Sequence, residues 1–209
     1  LAPLNHPGAA MSSPAFDRLL LSLSDIYMAE GREAAVRTAH ALTTTPARTA
    51  FAPQRPCALD TMMRALLADA AHPAAEAILA AQDLIPWGTN PVADRMSESA
   101  AAICAVTTLM GPEGPIPAPD LRLGLFYQRP NDYYALHNHD ADETYVILAG
   151  GAIWTAGDDT RHRGPGDYIH HPSLMPHAFR TGGEGLLALW RWSGDVNTHS
   201  YAFLPDAAA

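Results

Sequence analysis

His137-Asn138-His139-Asp140-Ala141-Asp142-Glu143-Thr144-Tyr145, answered further on by Gly166-Asp167 and then His177, is the stretch whose reading decides the fold of this chain. Residues two apart on a strand point to the same face, so His137 and His139 project together. A bend at Asp140-Ala141-Asp142 lets the Glu143 carboxylate join them, and the distant His177 can close the group. Imidazole nitrogens with one carboxylate suit a divalent first-row metal such as iron, manganese, cobalt or zinc, and leave coordination positions open for a substrate. The run therefore reads as a catalytic metal site carried by the strands of a small β-barrel.

Outward from this run the chain keeps a β rhythm. From Leu121 to Leu204 short alternating segments are separated by turn signals at Gly150-Gly151, Gly157-Asp158, Gly164-Pro165-Gly166 and Gly182-Gly183. Upstream of Gly111 the character changes to alanine and leucine with few β-branched runs. Ser13-Pro14 predicts an N-cap and first helical residue of an amphipathic helix reaching about Glu30. Further helices are predicted over Arg32 to Leu42, Leu59 to Ala71 and Pro73 to Leu84, with a last helix, or a helix running into an extended segment, over Arg95 to Met110. Proline fixes φ and removes donors, so Gly111-Pro112-Glu113-Gly114-Pro115-Ile116-Pro117-Ala118-Pro119 is expected to hold neither a helix nor a central strand. The expected organisation is a disordered tail or cloning remnant at 1–13, a helical region at 14–110, a linker at 111–120 and a metal-binding barrel at 121–209.

Composition narrows the partners. The chain has 209 residues and a formal net charge of -9, with no basic run, which argues against nucleic acid and against an anionic membrane surface. No apolar stretch approaches the roughly 18 residues of a membrane span, and no secretory leader is visible. Cys57 and Cys104 stand alone in alanine-rich surroundings and read as reduced buried thiols of a cytoplasmic protein. A monomer or a homodimer is expected.

Seven of the ten histidines and three of the four tryptophans follow Gly111, so the β half holds most of the coordinating and aromatic side chains. The pattern His-x-His-x-x-x-Glu, a six-residue gap, Gly150, then Gly166-Asp167, Pro172 and His177 resembles the paired signatures of the cupin family, small β-barrels with a metal inside. That resemblance covers about residues 121 to 204 and implies that His137, His139, Glu143 and His177 are metal ligands. Tyr145 lies two residues beyond Glu143 and so on the same strand face. A phenol beside a divalent cation has its pKa of about 10 lowered, which makes Tyr145 a candidate general base. His170, His171, His162 and His199 are read as second-layer or surface residues, and Asp167 as a turn residue.

With Tyr133-Tyr134-Ala135-Leu136 before the histidines, Glu143-Thr144-Tyr145 after them, Trp190-Arg191-Trp192 near the end and a helical first half, the chain resembles the bacterial cupin lyases of dimethylsulfoniopropionate (DMSP), most of all their Q type. The resemblance implies one divalent transition metal, Fe2+ or Zn2+ or else Mn2+, Co2+ or Ni2+. It also implies a small zwitterionic sulfonium substrate, with Tyr145 as base and Tyr134 and Trp192 as pocket aromatics. The expected reaction is a carbon–sulfur β-elimination: a carboxylate placed on the metal acidifies the α C–H, the phenolate takes that proton and dimethyl sulfide leaves. Aromatic faces attract a sulfonium, and Tyr127, Tyr133, Tyr134, Trp190 and Trp192 are the candidate cage. A cupin dioxygenase or a non-enzymatic ligand-binding cupin would use the same ligands. The phenol disfavours the first, and the lack of a basic DNA-binding helix disfavours a regulator.

Overall fold

The computed structural model describes residues 13–206, so the expected tail lies, but for Ser13, outside the described residues. Helix α1 (Pro14–Glu30) begins after an extended Ser13 with proline in its first turn and stops at Gly31, whose φ of 72° ends the helix. Its buried residues Phe16, Leu19, Leu23, Ile26 and Tyr27 recur every three or four positions, which makes one face apolar. Helices α2 (Glu33–Thr44), α3 (Asp60–Ala68) and α4 (Ala74–Ala81), the last extended by a 3-10 turn at Gln82–Leu84, fall where the periodicity predicts them. The segment from Arg95 takes the second of its two expected forms, a helix running into extended chain. A single turn of helix, α5 (Glu98–Ala101), gives way to strands β1 (Cys104–Val106) and β2 (Met110–Gly111). The β-branched residues Ile103, Val106, Thr107 and Thr108 pack better on a sheet than in a helix, and β1 finds a partner there.

The rest is antiparallel sheet: β3 (Ile116–Pro117), β4 (Leu121–Gln128), β5 (Tyr133–Asn138), β6 (Asp142–Ala156), β7 (Asp159–Arg163), β8 (Tyr168–His171), β9 (His177–Ser193) and β10 (Ala202–Phe203), with β2–β3 the one parallel pairing among the described residues. Strand β9 is the hub, bonded to β4, β5 and β6. Strands β6 and β9 pair twice, Asp142–Gly150 against Leu186–Ser193 and Ala152–Ala156 against His177–Thr181, and both bend between. The bends cross closely. Gly150 (φ 66°) approaches Gly185 (φ 81°) so nearly that a Cβ on Gly150 would lie 2.1 Å from the Gly185 carbonyl oxygen. The bends fold the sheet into two layers, although its ladder does not close on itself.

Two apolar cores result. Between the layers lie Phe126, Tyr134, Tyr145, Trp154, Phe179, Trp190 and Trp192. On the outer face, Leu123, Leu125, Val146, Leu148, Leu187 and Leu189 pack against Phe16, Leu19, Leu23 and Tyr27 of α1 and against Met63, Leu67 and Ile78. A rolled antiparallel sheet with an aromatic interior and a helical N-terminal region is the cupin architecture the sequence predicts. The Pro/Gly stretch is tied into this body. Strand β1 pairs with β4 from upstream of it, β3 forms the sheet edge, and Ile116 is completely buried in the outer core.

Candidate metal centre

The pairing register explains how the site is assembled. Across three neighbouring strands Glu143 faces Trp192, and Trp192 faces Arg122. In the next inward row Tyr145 faces Trp190, which faces Gly124. Strands β5 and β9 contribute His137 opposite His177. His139 follows β5 in the turn that precedes β6.

His137, His139 and His177 each offer a ligand atom within 4.8 Å of the others, as do Glu143, His171 and His177. All five side chains are buried. The three first-named rings are anchored alike. Nδ1 donates to a backbone carbonyl two residues away: His137 to Ala135 at 2.8 Å, His139 to Ala141 at 3.2 Å and His177 to Met175 at 2.9 Å. A carbonyl only accepts, so the proton stays on Nδ1 and Nε2 presents a lone pair. Glu143 Oε2 lies 3.3 Å from His139 Nε2 and 3.1 Å from His177 Nε2, and His177 Nε2 forms no hydrogen bond. A carboxylate facing imidazole Nε2 atoms in a dry interior calls for positive charge among them, supplied by a proton on a ring or by a bound cation. His137, His139 and His177 form one triad able to hold an ion and Glu143 meets His177 in a second, a donor set that fits a divalent transition metal, and the backbone-fixed imidazoles match how metal-binding histidines are oriented.

His171, read from the sequence as a second-layer or surface histidine, lies beside Glu143 in this cluster. Its Nε2 accepts from Trp154 Nε1 at 3.0 Å, so its Nδ1 carries the proton and donates to Glu143 Oε2 at 3.2 Å. With both nitrogens engaged, His171 orients Glu143. The other carboxylate oxygen, Oε1, accepts from Trp192 Nε1 at 2.6 Å. Burial pushes the Glu143 pKa up, but His139, His171 and His177 outweigh it and hold the carboxyl well below its ordinary range. Burial and the neighbouring His177 hold His137 well below the usual imidazole value and bring His171 down to about 3, so both rings are neutral.

Beside the cluster opens a small cavity of about 40 Å³, lined by Tyr134, His137, Glu143, Tyr145, Trp190, Trp192 and Tyr201, with Phe126, Val106 and Val92 as its apolar wall and Asn90, Arg122 and Thr198 as further polar neighbours. Among the described residues the Tyr145 hydroxyl has no hydrogen-bond partner, and burial followed by the Glu143 charge pushes its pKa well up. Tyr134 is tied instead into a chain: Asn90 Nδ2 donates to its oxygen at 2.6 Å, and its hydroxyl meets that of Tyr201 at 2.8 Å. Tyr201 also stacks on His137, with ring centroids 4.9 Å apart.

Two of the expected cage residues fall elsewhere. Tyr127 follows Phe126, so it turns to the outer core, where it lines a groove beside α3. Tyr133 precedes Tyr134 and likewise faces out, hydrogen-bonded to Asp206 and covered by the Arg180 guanidinium 4.3 Å from its ring centroid. Trp190 and Trp192 both face in, as their two-residue spacing predicts. Sequence reasoning missed Asn90 and Tyr201 and left His171 without an assigned role.

Comparison with known proteins places the chain in a family. A family model described as dimethylsulfoniopropionate lyase matches residues 30–188. DMSP lyase DddQ of Ruegeria pomeroyi is 32% identical over 197 residues, covering 93% of this chain and 97% of that protein. Its crystal structure superposes with a TM-score of 0.65 at 27% identity, over 91% of this chain and 96% of that one. The putative DMSP lyase DddL of Cereibacter sphaeroides is 31% identical over 103 residues, 48% of this chain and 43% of that protein. With one family model spanning most of its length and a relative aligned nearly end to end, the chain belongs to the DMSP lyase family.

Proposed function

We propose that this chain is a metal-dependent DMSP lyase that cleaves dimethylsulfoniopropionate to dimethyl sulfide and acrylate. His137, His139, Glu143 and His177 are its metal ligands and Tyr145 its general base. The observation that carries the reading is the Tyr145 hydroxyl. Among the described residues it is unpartnered, and it lines the cavity and stands on the same strand face as Glu143. A divalent cation at the cluster would supply Lewis acidity, lowering the pKa of a neighbouring phenol and polarising an oxyanion that reaches it.

The rest of the chemistry falls to the protein. Tyr145 takes the α proton, the C–H electrons form the C=C bond, and the C–S electrons leave with dimethyl sulfide. The zwitterion thus becomes acrylate, neutral sulfide and one proton that passes from the phenol to solvent. The departing group needs no proton, so no acid has to be found opposite the base. Tyr134 and Trp192 offer π-faces to the sulfonium, with Phe126 behind them. His171 and Trp192 hold the two oxygens of Glu143, and the Tyr134–Tyr201–Asn90 chain fixes the remaining wall. The family relationship supports the lyase activity. The inward placement of Tyr134 and Trp192, with Tyr133 and Tyr127 outside, narrows the cage.

The test is dimethyl sulfide in the headspace over purified protein and DMSP, before and after chelation and metal return. Tyr145→Phe keeps the ring and deletes the oxygen, and turnover should fall by about 10² to 10⁴ with metal content retained. Near-normal turnover in a metal-loaded Tyr145→Phe variant would move the base role to another hydroxyl in the cavity.

A further inference from the structure

Among the described residues two other than glycine take a positive φ, Asn131 at 60° and Leu174 at 64°. Asparagine tolerates this left-handed conformation, whereas in a leucine the Cβ crowds the carbonyl oxygen that follows. Packing does little to offset the strain, because Leu174 is 53% exposed. The residue lies in the turn 172–176 between β8 and β9, which is closed by a hydrogen bond from Met175 N to the Pro172 carbonyl at 2.9 Å. A strained residue persists where its surroundings over-determine it, and such strain gathers at functional sites.

Two of the candidate ligands meet at this turn. His137 and His177 are set by the sheet, where they stand opposite each other. His139 is not: Asn138 pairs with Ala202 and Asp142 with Ser193, and residues 139–141 lie between these pairings in no ladder. Two contacts hold its main chain in place. Asp140 N donates to Ser200 Oγ at 2.9 Å, and Leu174 N donates to the His139 carbonyl at 2.8 Å, with Asn138 Nδ2 donating back to the Leu174 carbonyl at 3.3 Å. The next residue serves the other ligand, since the Met175 carbonyl accepts from Nδ1 of His177 at 2.9 Å. Consecutive residues thus engage the backbone of one candidate ligand and the ring of another. The φ of Leu174 is the torsion between them. With its N–H fixed on His139, rotation about φ swings the Met175 carbonyl and the start of β9.

We infer that the left-handed turn at Leu174 is a positioning clamp, which sets His139 against His177 so that both reach one metal ion. The clamp rests on the reading of these histidines as ligands. Its working part is the backbone angle and not the leucine side chain, which is half in solvent. Residue types that admit φ near 64° should therefore serve at this position, and those that resist it should not.

The test is the Zn2+ affinity of the purified, chelator-stripped protein, read by competition against a chromophoric chelator, together with the absorption spectrum of the Co2+-loaded form. Leu174→Val keeps an apolar side chain, but its branched Cβ resists a positive φ. Zn2+ should bind it about 10- to 100-fold more weakly, and the Co2+ bands should change as a ring nitrogen is lost. Leu174→Asn reverses both properties and should keep the parental affinity and spectrum, as should Leu174→Gly. A role for the side chain itself predicts the opposite order. In a His139→Ala background the valine change should cost little further affinity, because the clamp acts through that ring. Should Leu174→Val fail to fold, Asn138→Ala decides instead: it removes the exposed tie to the Leu174 carbonyl and should weaken Zn2+ several-fold. Parental affinity in Leu174→Val, or in Asn138→Ala where that variant stands in, overturns the clamp, as does a Leu174→Asn that binds as weakly as Leu174→Val. Parental affinity in His139→Ala, or a parent chain that takes up no metal, retires the ligand reading and the clamp with it, so the two failures are told apart.

Discussion

His171 shows at the scale of one residue what pattern reading can and cannot supply. Strand parity is local, so His137, His139, Glu143 and Tyr145 were legible as one constellation from a single run of sequence. His171 joins them only because β8 pairs with β6 so that His171 lies opposite Glu143, and nothing in His170-His171-Pro172 announces that register. Replacing it should be costly. His171→Phe strands the Trp154 N–H and one oxygen of Glu143, at roughly 1 to 3 kcal/mol for each buried group left unpaired, and should weaken metal binding by about 10- to 100-fold. Chemical denaturation and competitive metal titration read these two effects, and an unchanged metal affinity would show that Glu143 is oriented without it. The same buried rings set the pH response. His137 lies well below the usual imidazole value and His171 at about 3, so between about pH 6.5 and 3 the unfolded chain binds more protons than the folded one. Glu143, also held below its ordinary value, adds to the loss at the acid end of that window. Stability should therefore fall steadily as pH drops below about 6.5. Melting temperatures of the chelated protein from pH 7 to 4 check this, and a flat profile would contradict the neutral, buried assignment.

At the scale of elements, the helices of the first half and the turn positions of the second follow from periodicity and from glycine and proline placement, because those signals are local. Strand β4 was harder to read. Seven of its eight residues are buried, with Leu121, Leu123, Leu125 and Tyr127 under the helices and Phe126 between the layers. A strand covered on both faces carries no polar alternation, and that is why Tyr127 could be placed in the cage from sequence although it points the other way. The bends of β6 and β9 were visible only as Gly150-Gly151 and Gly182-Gly183, not as a crossing. Gly150→Ala tests what the crossing requires. The position combines φ of 66° with a contact of 2.1 Å to the Gly185 backbone, which no side-chain rotation relieves. The variant should lose more than about 1 kcal/mol of stability, and the shift of β6 against β9 should also loosen His177 from Glu143. Urea denaturation reads the first effect and metal stoichiometry the second; a variant as stable as the parent would mean that the two bends move apart freely.

At the scale of the whole molecule, a change in composition near Gly111 is a real feature of the chain but a poor guide to where its body divides. The helices and the outer face of the sheet share one apolar core, and a buried polar joint ties them behind the candidate metal cluster. Arg191 Nη2 donates to Glu30 Oε1 at 2.7 Å and to Thr144 Oγ1 at 2.9 Å, Thr144 donates to the same Glu30 oxygen at 3.0 Å, and Tyr27 donates to the Trp190 carbonyl. Thr144 sits between Glu143 and Tyr145, and Arg191 between Trp190 and Trp192, so the joint grips the backs of the two strands whose fronts carry the site. We propose that the helical region is a structural wall of the barrel, unfolding with it in one transition. Arg191→Met is the informative change. It removes the nearest cation and leaves the buried Glu30 carboxylate only the Thr144 hydroxyl and the longer 3.8 Å contact to Arg32, a loss of up to about 3 to 5 kcal/mol for a broken buried pair. Glu30→Gln with Arg191→Met takes away both charges and should recover much of that stability. Thermal unfolding followed by helix-sensitive circular dichroism and by tryptophan fluorescence, three of whose four reporters lie in the β half, should give coincident curves in the parent and in both variants. Two separated transitions would restore an independent barrel and a dispensable helical region. Coincident curves that shift together make the helices part of the architecture that holds Glu143 and Tyr145 in register.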